Sequence, residues 1–270
     1  MFHLDLLISG INLKTGALHD DLMVLQLFRS YAALDESSRI KKAEKVARVL
    51  SRYRDLSKSR ILDIGSGSGY LGRLMKKKAK RYIGIDFVDE RKIRDFDFVQ
   101  ADALRIPFKN GSFDIIVCNH VIEHVTGQKR LLEEISRLLK KDGICYMTCP
   151  NRLWPMEPHL KLPFLSYLPK SLADIYVRAT GKGKEYDIYP MTYYRFSKKL
   201  KKYFNLENHT IEILKNPVYY GFGKIYSVFS VSRYFPRFLL EFLNNFLPNW
   251  IVILRKNLTL RHFNKKIKKY

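Results

Sequence analysis

Three carboxylates and a run of glycines hold most of the chemistry legible in this chain. In Ile61-Leu62-Asp63-Ile64-Gly65-Ser66-Gly67-Ser68-Gly69-Tyr70-Leu71-Gly72 an apolar run passes into glycines and then directly into helix-forming sequence. Glycine lets the backbone turn sharply and lets a ligand approach without Cβ atoms in the way. The helix start behind it offers free N–H groups to a carboxylate or phosphate. Gly67-x-Gly69-x-x-Gly72 satisfies the dinucleotide fingerprint, so the loop alone does not choose its ligand. The acids narrow the choice. Asp63 lies inside the strand, two residues before Gly65, where it would repel a pyrophosphate but suits the ammonium of a methionyl group. Asp86 ends a second apolar run, where a carboxylate accepts from both hydroxyls of a ribose. Asp102 ends a third, placed to accept from an adenine amino group, with Phe87 and Ala103 flanking the ring.

A second constellation is His120-Val121-Ile122-Glu123-His124, an H-x-x-E-H spelling shared with inverted zinc proteases. That chemistry requires both histidines on one face of an established helix and a third ligand downstream. Here the motif begins at the mouth of a strand and no third-ligand motif follows, so no metal is expected.

These residues need elements to hold them. Short apolar runs at residues 61–64, 82–85, 96–99, 113–118 and 144–149 read as strands, with helical material at 71–80 and 128–140. Asp142-Gly143 reads as a turn before the fifth strand. Alternating β and α segments with fully apolar strands predict a parallel sheet covered on both faces. Residues 20–56 read as two helices, the second with Ile40, Ala43, Ala47 and Leu50 on one stripe. Residues 211–214 and 250–254 read as two more strands, separated by an aromatic helical stretch at 222–247. The resulting division is a helical cap (1–56), a ligand-binding core (57–150), a Pro- and aromatic-rich lid (151–207), completion of the sheet (208–256) and a basic tail (257–270).

Asp63-x-Gly65-x-Gly67-x-Gly69, Gly84-Ile85-Asp86, Ala101-Asp102-Ala103 and Ser112-Phe113-Asp114-Ile115-Ile116-Val117, in this order, resemble the class I methyltransferase superfamily. Within it the chain is most similar to the broad group called methyltransferase type 11, over residues 60–150. The resemblance implies an α/β, Rossmann-like doubly wound sheet of seven mainly parallel strands with an antiparallel last strand. It also implies S-adenosylmethionine across the strand ends, with Asp63, Gly65, Gly67, Gly69, Asp86, Phe87, Asp102, Ala103 and Asn119 lining it. His120 and His124 then stand at the cofactor mouth, where they would meet the acceptor or remove its proton. His159, in the lid, is a further candidate base. Glu123 is expected only to hydrogen-bond locally. Residues 150–165, from Pro150-Asn151-Arg152 through Pro158-His159 to Leu165, resemble a subset linked to surface-glycan or lipid-linked pathways.

The implied activity is methyl transfer to a small-molecule or lipid- or glycan-linked acceptor. A net charge of +23 keeps RNA methylation as an alternative and points to an anionic partner, either a membrane surface or nucleic acid. The Asn/Asp-Pro-Pro-Tyr/Phe motif of amino-group nucleic-acid methylation is missing; Asn119-His120-Val121-Ile122 stands in its place. An NAD-dependent oxidoreductase is the rival of another class, resting on the glycine fingerprint alone. Cys118, Cys145 and Cys149 show no C-x-x-C spacing, which suggests buried thiols in a reducing compartment. Residues 1–5 lack a basic leader region, and no uncharged apolar stretch reaches the about 18 residues of a bilayer span. The chain is therefore expected in the cytoplasm; any membrane contact would be peripheral, at the inner membrane face, the alternative being an ordinary sheet-covering helix followed by a solvated tail. Phe235, Phe238, Leu239, Phe242, Leu243, Phe246 and Leu247 on one helical face, followed by an acid-free basic tail, are the features that fit such contact.

Overall fold

Every core strand is apolar on both faces, and a computed structural model of the chain, describing residues 36–221 and 231–257, shows why. The strands are β1 (Arg60–Ile64), β2 (Arg81–Asp86), β3 (Asp97–Gln100), β4 (Phe113–Asn119), β5 (Leu139–Pro150), β6 (Phe204–Asn208) and β7 (Asn249–Lys256). They form one sheet in the order β3-β2-β1-β4-β5-β7-β6. Strands β1 to β5 pair in parallel, and β7 runs antiparallel between β5 and β6. Successive residues of a strand face opposite sides. Leu62, Ile116, Cys118 and Met147 enter one buried cluster, while Ile61, Ile115, Val117 and Tyr146 enter another. Both faces are therefore covered, as expected of a doubly wound sheet.

The helices supply the cover. They are α1 (Glu36–Ser51), α2 (Tyr70–Lys76), α3 (Gln128–Leu138), α4 (Lys170–Ala179), α5 (Tyr193–Leu200), α6 (Thr210–Lys215) and α7 (Arg237–Asn244). Helix α1 buries Ala43, Val46, Ala47, Val49 and Leu50, but Ile40, expected on the same stripe, is exposed. The first of the two expected N-terminal helices and the basic tail from residue 258 onward lie outside the described residues, as do residues 222–230.

Two expectations are corrected. Residues 211–214 are not a strand: they lie in α6, and the sixth strand is Phe204–Asn208. It is an edge strand that buries Phe204 and exposes Asn205 and Glu207, so it lacks the continuous apolar run of a buried strand. The Asn208 carboxamide then accepts from the Thr210 amide at 3.0 Å, at the start of α6. Asp142-Gly143 is also no turn between helix and strand. Helix α3 ends at Leu138, and β5 runs through these residues, its register against β4 shifting between Phe113 and Ile115 in a bulge.

Between β5 and α5 the chain inserts a segment with its own small core of Leu162, Leu165, Ala173, Val177, Tyr186 and Ile188. The expected lid extended to residue 207, yet α5 and β6 already belong to the sheet layer. Phe196 of α5 stacks on Trp250 of β7 with centroids 5.9 Å apart. Among the described residues no helix is long and apolar enough to cross a membrane.

Candidate active site

From β1 the strand order runs outward to β2 on one side, and the chain returns to β4 on the other. A crevice at such a reversal, outside the strand C-termini, is where open α/β sheets bind ligands. Gly65, Gly67 and Gly69 sit there with φ of 74°, 49° and 87°. This left-handed region is costly for residues with a Cβ. Gly65 is pressed against the Val121 side chain, and Gly69 against the Ile93 carbonyl and Phe96. Gly67 has nothing within 4 Å of where a Cβ would stand. The loop is thus packed on both flanks and bare at its middle.

Asp86 holds that middle in place. Its carboxylate accepts from the Gly67 amide at 2.9 Å and from the Phe87 amide at 2.8 Å. An ionised carboxylate has further lone pairs for ligand hydroxyls. The Phe87 carbonyl accepts from the Gln100 carboxamide at 2.9 Å, while its ring stands 71% exposed. Asp102 is exposed and accepts from the Leu104 amide at 2.8 Å. Ala103 packs at the margin of the core. The Asn119 side chain accepts from the Thr148 hydroxyl at 2.9 Å, and that hydroxyl accepts in turn from the His120 amide at 2.8 Å.

Asp63 differs from the other acids. It is buried and accepts from the Tyr82 hydroxyl at 2.5 Å. Burial pushes its carboxyl up to about 7; the Tyr82 hydrogen bond opposes this and the Asp86 charge adds to it. Tyr82 is thus a partner the sequence reading missed. It lies in an apolar strand, where its ring suggested only core.

The three candidate histidines come together. His120, with φ of 57°, follows β4, and Ile122–His124 form a single 3₁₀ turn rather than an established helix. His120 Nδ1 stands 3.0 Å from Glu123 Oε1. His124 Nε2 stands 3.2 Å from Nε2 of His159, delivered from the inserted segment. His159 Nδ1 is 2.8 Å from Oε1 of Glu157, and the second oxygen of Glu157 accepts from the Leu160 amide at 2.6 Å. Both Glu123 and Glu157 are fully buried. Glu123 Oε2 is buried without a hydrogen-bond partner. Although burial works to raise it, the Glu123 carboxyl is held below its ordinary value by the hydrogen bond and charge of His120. Burial lowers His124. It works the same way on His159, but the Glu157 hydrogen bond and charge reverse the direction and raise it. Glu157 went unrecognised in the sequence, because its adjacency to Pro158 and His159 carries no sign that the loop buries it.

Residues 62–147 match the methyltransferase domain family. The chain carries a class I S-adenosylmethionine-dependent methyltransferase domain. The domain is 32% identical over 95 residues to an uncharacterised methyltransferase of Bacillus subtilis, covering 31% of this chain and 38% of that protein. It is 30% identical over 104 residues to a demethylmenaquinone methyltransferase of Thermotoga maritima, covering 36% and 45%. The match spans less than half the length of either relative. A crystal structure of a Pyrococcus horikoshii protein shares the fold, with a TM-score of 0.53 at 14% identity over 86% of this chain and 97% of that one. The residues at the glycine loop are compatible with the cofactor of such a domain. Nothing lies within 4 Å of where a Gly67 Cβ would stand, the Asp86 carboxylate accepts from the Gly67 amide, and the Phe87 ring is largely exposed.

Proposed function

We propose that the chain moves a methyl group from S-adenosylmethionine to a small-molecule or lipid- or glycan-linked acceptor received at the histidine cluster. The cofactor, when bound, supplies an electrophilic methyl carbon on a sulfonium, so the protein's tasks are alignment, water exclusion and disposal of a proton. In this reading Asp86 takes the ribose hydroxyls and Asp102 the adenine amino group, with Phe87 and Ala103 against the ring. Gly65, Gly67 and Gly69 admit the methionyl end, near Asn119, and Asp63 answers its ammonium. The observation that carries the acceptor side is the meeting of His120, His124 and His159 beside the loop. Val121, between His120 and Glu123, is the side chain packed on Gly65. The inserted segment serves as the lid, tied down where the Tyr189 amide donates to the Glu123 carbonyl at 2.7 Å.

The acceptor class is supported by α7. Its Leu240 and Asn244 are buried, while its Phe238 and Phe242, and Phe246 just beyond its end, are 74%, 60% and 52% exposed. The helix therefore shows an aromatic face outward instead of spending it on the sheet. With a net charge of +23, that face suits peripheral docking on an anionic membrane from the cytoplasmic side. Methyl-labelled cofactor incubated with the protein and host extract, then separated into lipid, small-molecule and RNA fractions, tests the reading. Label in lipid or small molecules is expected. Label in RNA alone would overturn the acceptor class, and absence of cofactor binding would overturn the activity.

A further inference from the structure

We infer that the cluster of His120, Glu123 and His159, with His124 beside it, is a binding site for a divalent transition-metal ion of the zinc type. One reason to expect no metal was the missing third ligand after H-x-x-E-H, the other that the motif lies at a strand mouth and not on a helix; the folded chain supplies a third ligand from the insertion. One ligand atom from each of His120, Glu123 and His159 lies within 4.8 Å of the others. Glu123 Oε1 is 3.0 Å from His120 Nδ1 and 3.9 Å from His159 Nε2. His124 Nε2 is 3.2 Å from His159 Nε2. Two nitrogens held at zinc-ligand distance around a tetrahedral ion stand about 3.3 Å apart. The 3.0 Å between Glu123 Oε1 and His120 Nδ1 is near that spacing, and His124 stands outside the group of three.

Two observations point independently to a ligand. The first is Glu123 itself: its carboxylate is fully buried and Oε2 has no hydrogen-bond partner. A buried carboxylate with one oxygen in that state is one that a bound cation would satisfy. The second is Glu157, also buried, one oxygen of which faces His159 Nδ1 while the other is fixed by the Leu160 amide. A carboxylate on the far nitrogen of an imidazole fixes its tautomer and directs the near lone pair, the usual arrangement behind a metal-bound histidine. The donor set is imidazole and carboxylate without thiolate, which suits zinc, cobalt or nickel over calcium. All three cysteines are buried and free.

An ion held there stands beside the glycine loop at the acceptor end. An acceptor hydroxyl or thiol bound to it would release its proton to solvent more easily before attack. This role in the reaction rests on the methyl-transfer reading; the binding of the ion does not.

The test is titration of the chelator-stripped full chain with Zn2+ by calorimetry and with Co2+ by visible absorption. One equivalent of each is expected, Co2+ giving the intense bands of a tetrahedral site. Glu123→Gln and His159→Asn should each abolish stoichiometric binding, and Glu157→Gln should weaken it by about 10- to 100-fold. Because Glu123 is buried, its variant is compared with wild type by circular dichroism; should it fail to fold, His159→Asn in the insertion decides. No stoichiometric ion, or binding indifferent to both substitutions, overturns the site. S-adenosylhomocysteine calorimetry on the same samples separates the two ideas. Cofactor binding without the ion sinks only the metal site, and ion binding without the cofactor sinks only the methyl-transfer reading.

Discussion

His124 and His159 face each other Nε2 to Nε2 at 3.2 Å, although 35 residues separate them in sequence. One follows β4 and the other arrives with the insertion, so the contact exists only when the insertion is seated. His159→Ala removes it without touching the glycine loop. Turnover should fall by about 100-fold or more, the usual range for losing a group that handles the acceptor's proton, while affinity for S-adenosylhomocysteine stays as in wild type. Steady-state kinetics with calorimetry on the same variant checks this. Equal loss of both quantities in a fully folded variant would place His159 in the cofactor pocket instead.

Asp86 carries a different weight, because its carboxylate both accepts from the Gly67 amide and borders the crevice. Asp86→Ala removes charge-assisted hydrogen bonds of about 1.5–3 kcal/mol. S-adenosylhomocysteine should bind about 10- to 150-fold more weakly by calorimetry. Unchanged affinity would take Asp86 out of the site.

Asp63 makes stability depend on pH. Burial raises its carboxyl to about 7, so the folded chain keeps a proton that the unfolded chain has released above about pH 4. Stability contributed by this group is therefore present at low pH and declines as pH rises from about 4 through 7. Asp63→Asn keeps an acceptor for the Tyr82 hydroxyl and abolishes the decline. At pH 8 without cofactor it should be the more stable protein, by at most about 4 kcal/mol at roughly 1.4 kcal/mol per unit. Urea unfolding at pH 5 and pH 8 measures it; parallel curves for the two proteins would show that Asp63 titrates normally.

His209 acts with the opposite sign. It is buried between Tyr53, whose hydroxyl is 2.8 Å from Nδ1, and Tyr220, whose hydroxyl is 2.9 Å from Nε2. Burial, followed by the nearby Arg52 charge, lowers its pKa to about 4. The folded chain holds it neutral where the unfolded chain takes up a proton near pH 6.5. Its contribution is complete above that value and is lost as pH falls through about 4. His209→Gln should flatten the unfolding profile between these limits, a difference of at most about 3 kcal/mol. A wild-type profile without that slope would refute the assignment.

The aromatic face of α7 is tested at a surface. Phe238→Ser and Phe242→Ser together remove exposed rings, so each should change stability by no more than about 0.5 kcal/mol. They should release the protein from anionic vesicles in sedimentation, where wild type stays bound at moderate salt. Wild type that ignores vesicles and binds RNA with steep salt dependence would end the membrane reading and favour the nucleic-acid one.

Much of the fold was written locally. Apolar runs long enough to be buried on both faces leave a strong local signal, so β1, β2, β4, β5 and β7 fall where the residues place them. The loop from Asp63 to Gly72 and the acids at the strand ends are equally local, because each follows from its position relative to a strand terminus. Strand β6 is half exposed, and its alternation of Phe204, Leu206, Asn205 and Glu207 is too short to stand out beside the more apolar run that becomes α6. The continuation of β5 through Asp142-Gly143 depends on pairing with β4, which residues 139–143 by themselves do not encode.

The site divides along the same line. By itself the sequence named the candidates for holding an adenosyl ligand, because strand, turn and helix start are neighbours along the chain. Tertiary structure decided that Asp63 is engaged by Tyr82, that α7 turns its rings outward, and that His159 with Glu157 closes on the H-x-x-E-H segment. Those relations join residues 19 to 35 positions apart through burial and long-range packing. Desolvation and the placement of a partner across a fold have no local spelling, which is why Glu123 reads only as a local hydrogen-bonding group and Glu157 as an ordinary loop acid until the chain is folded.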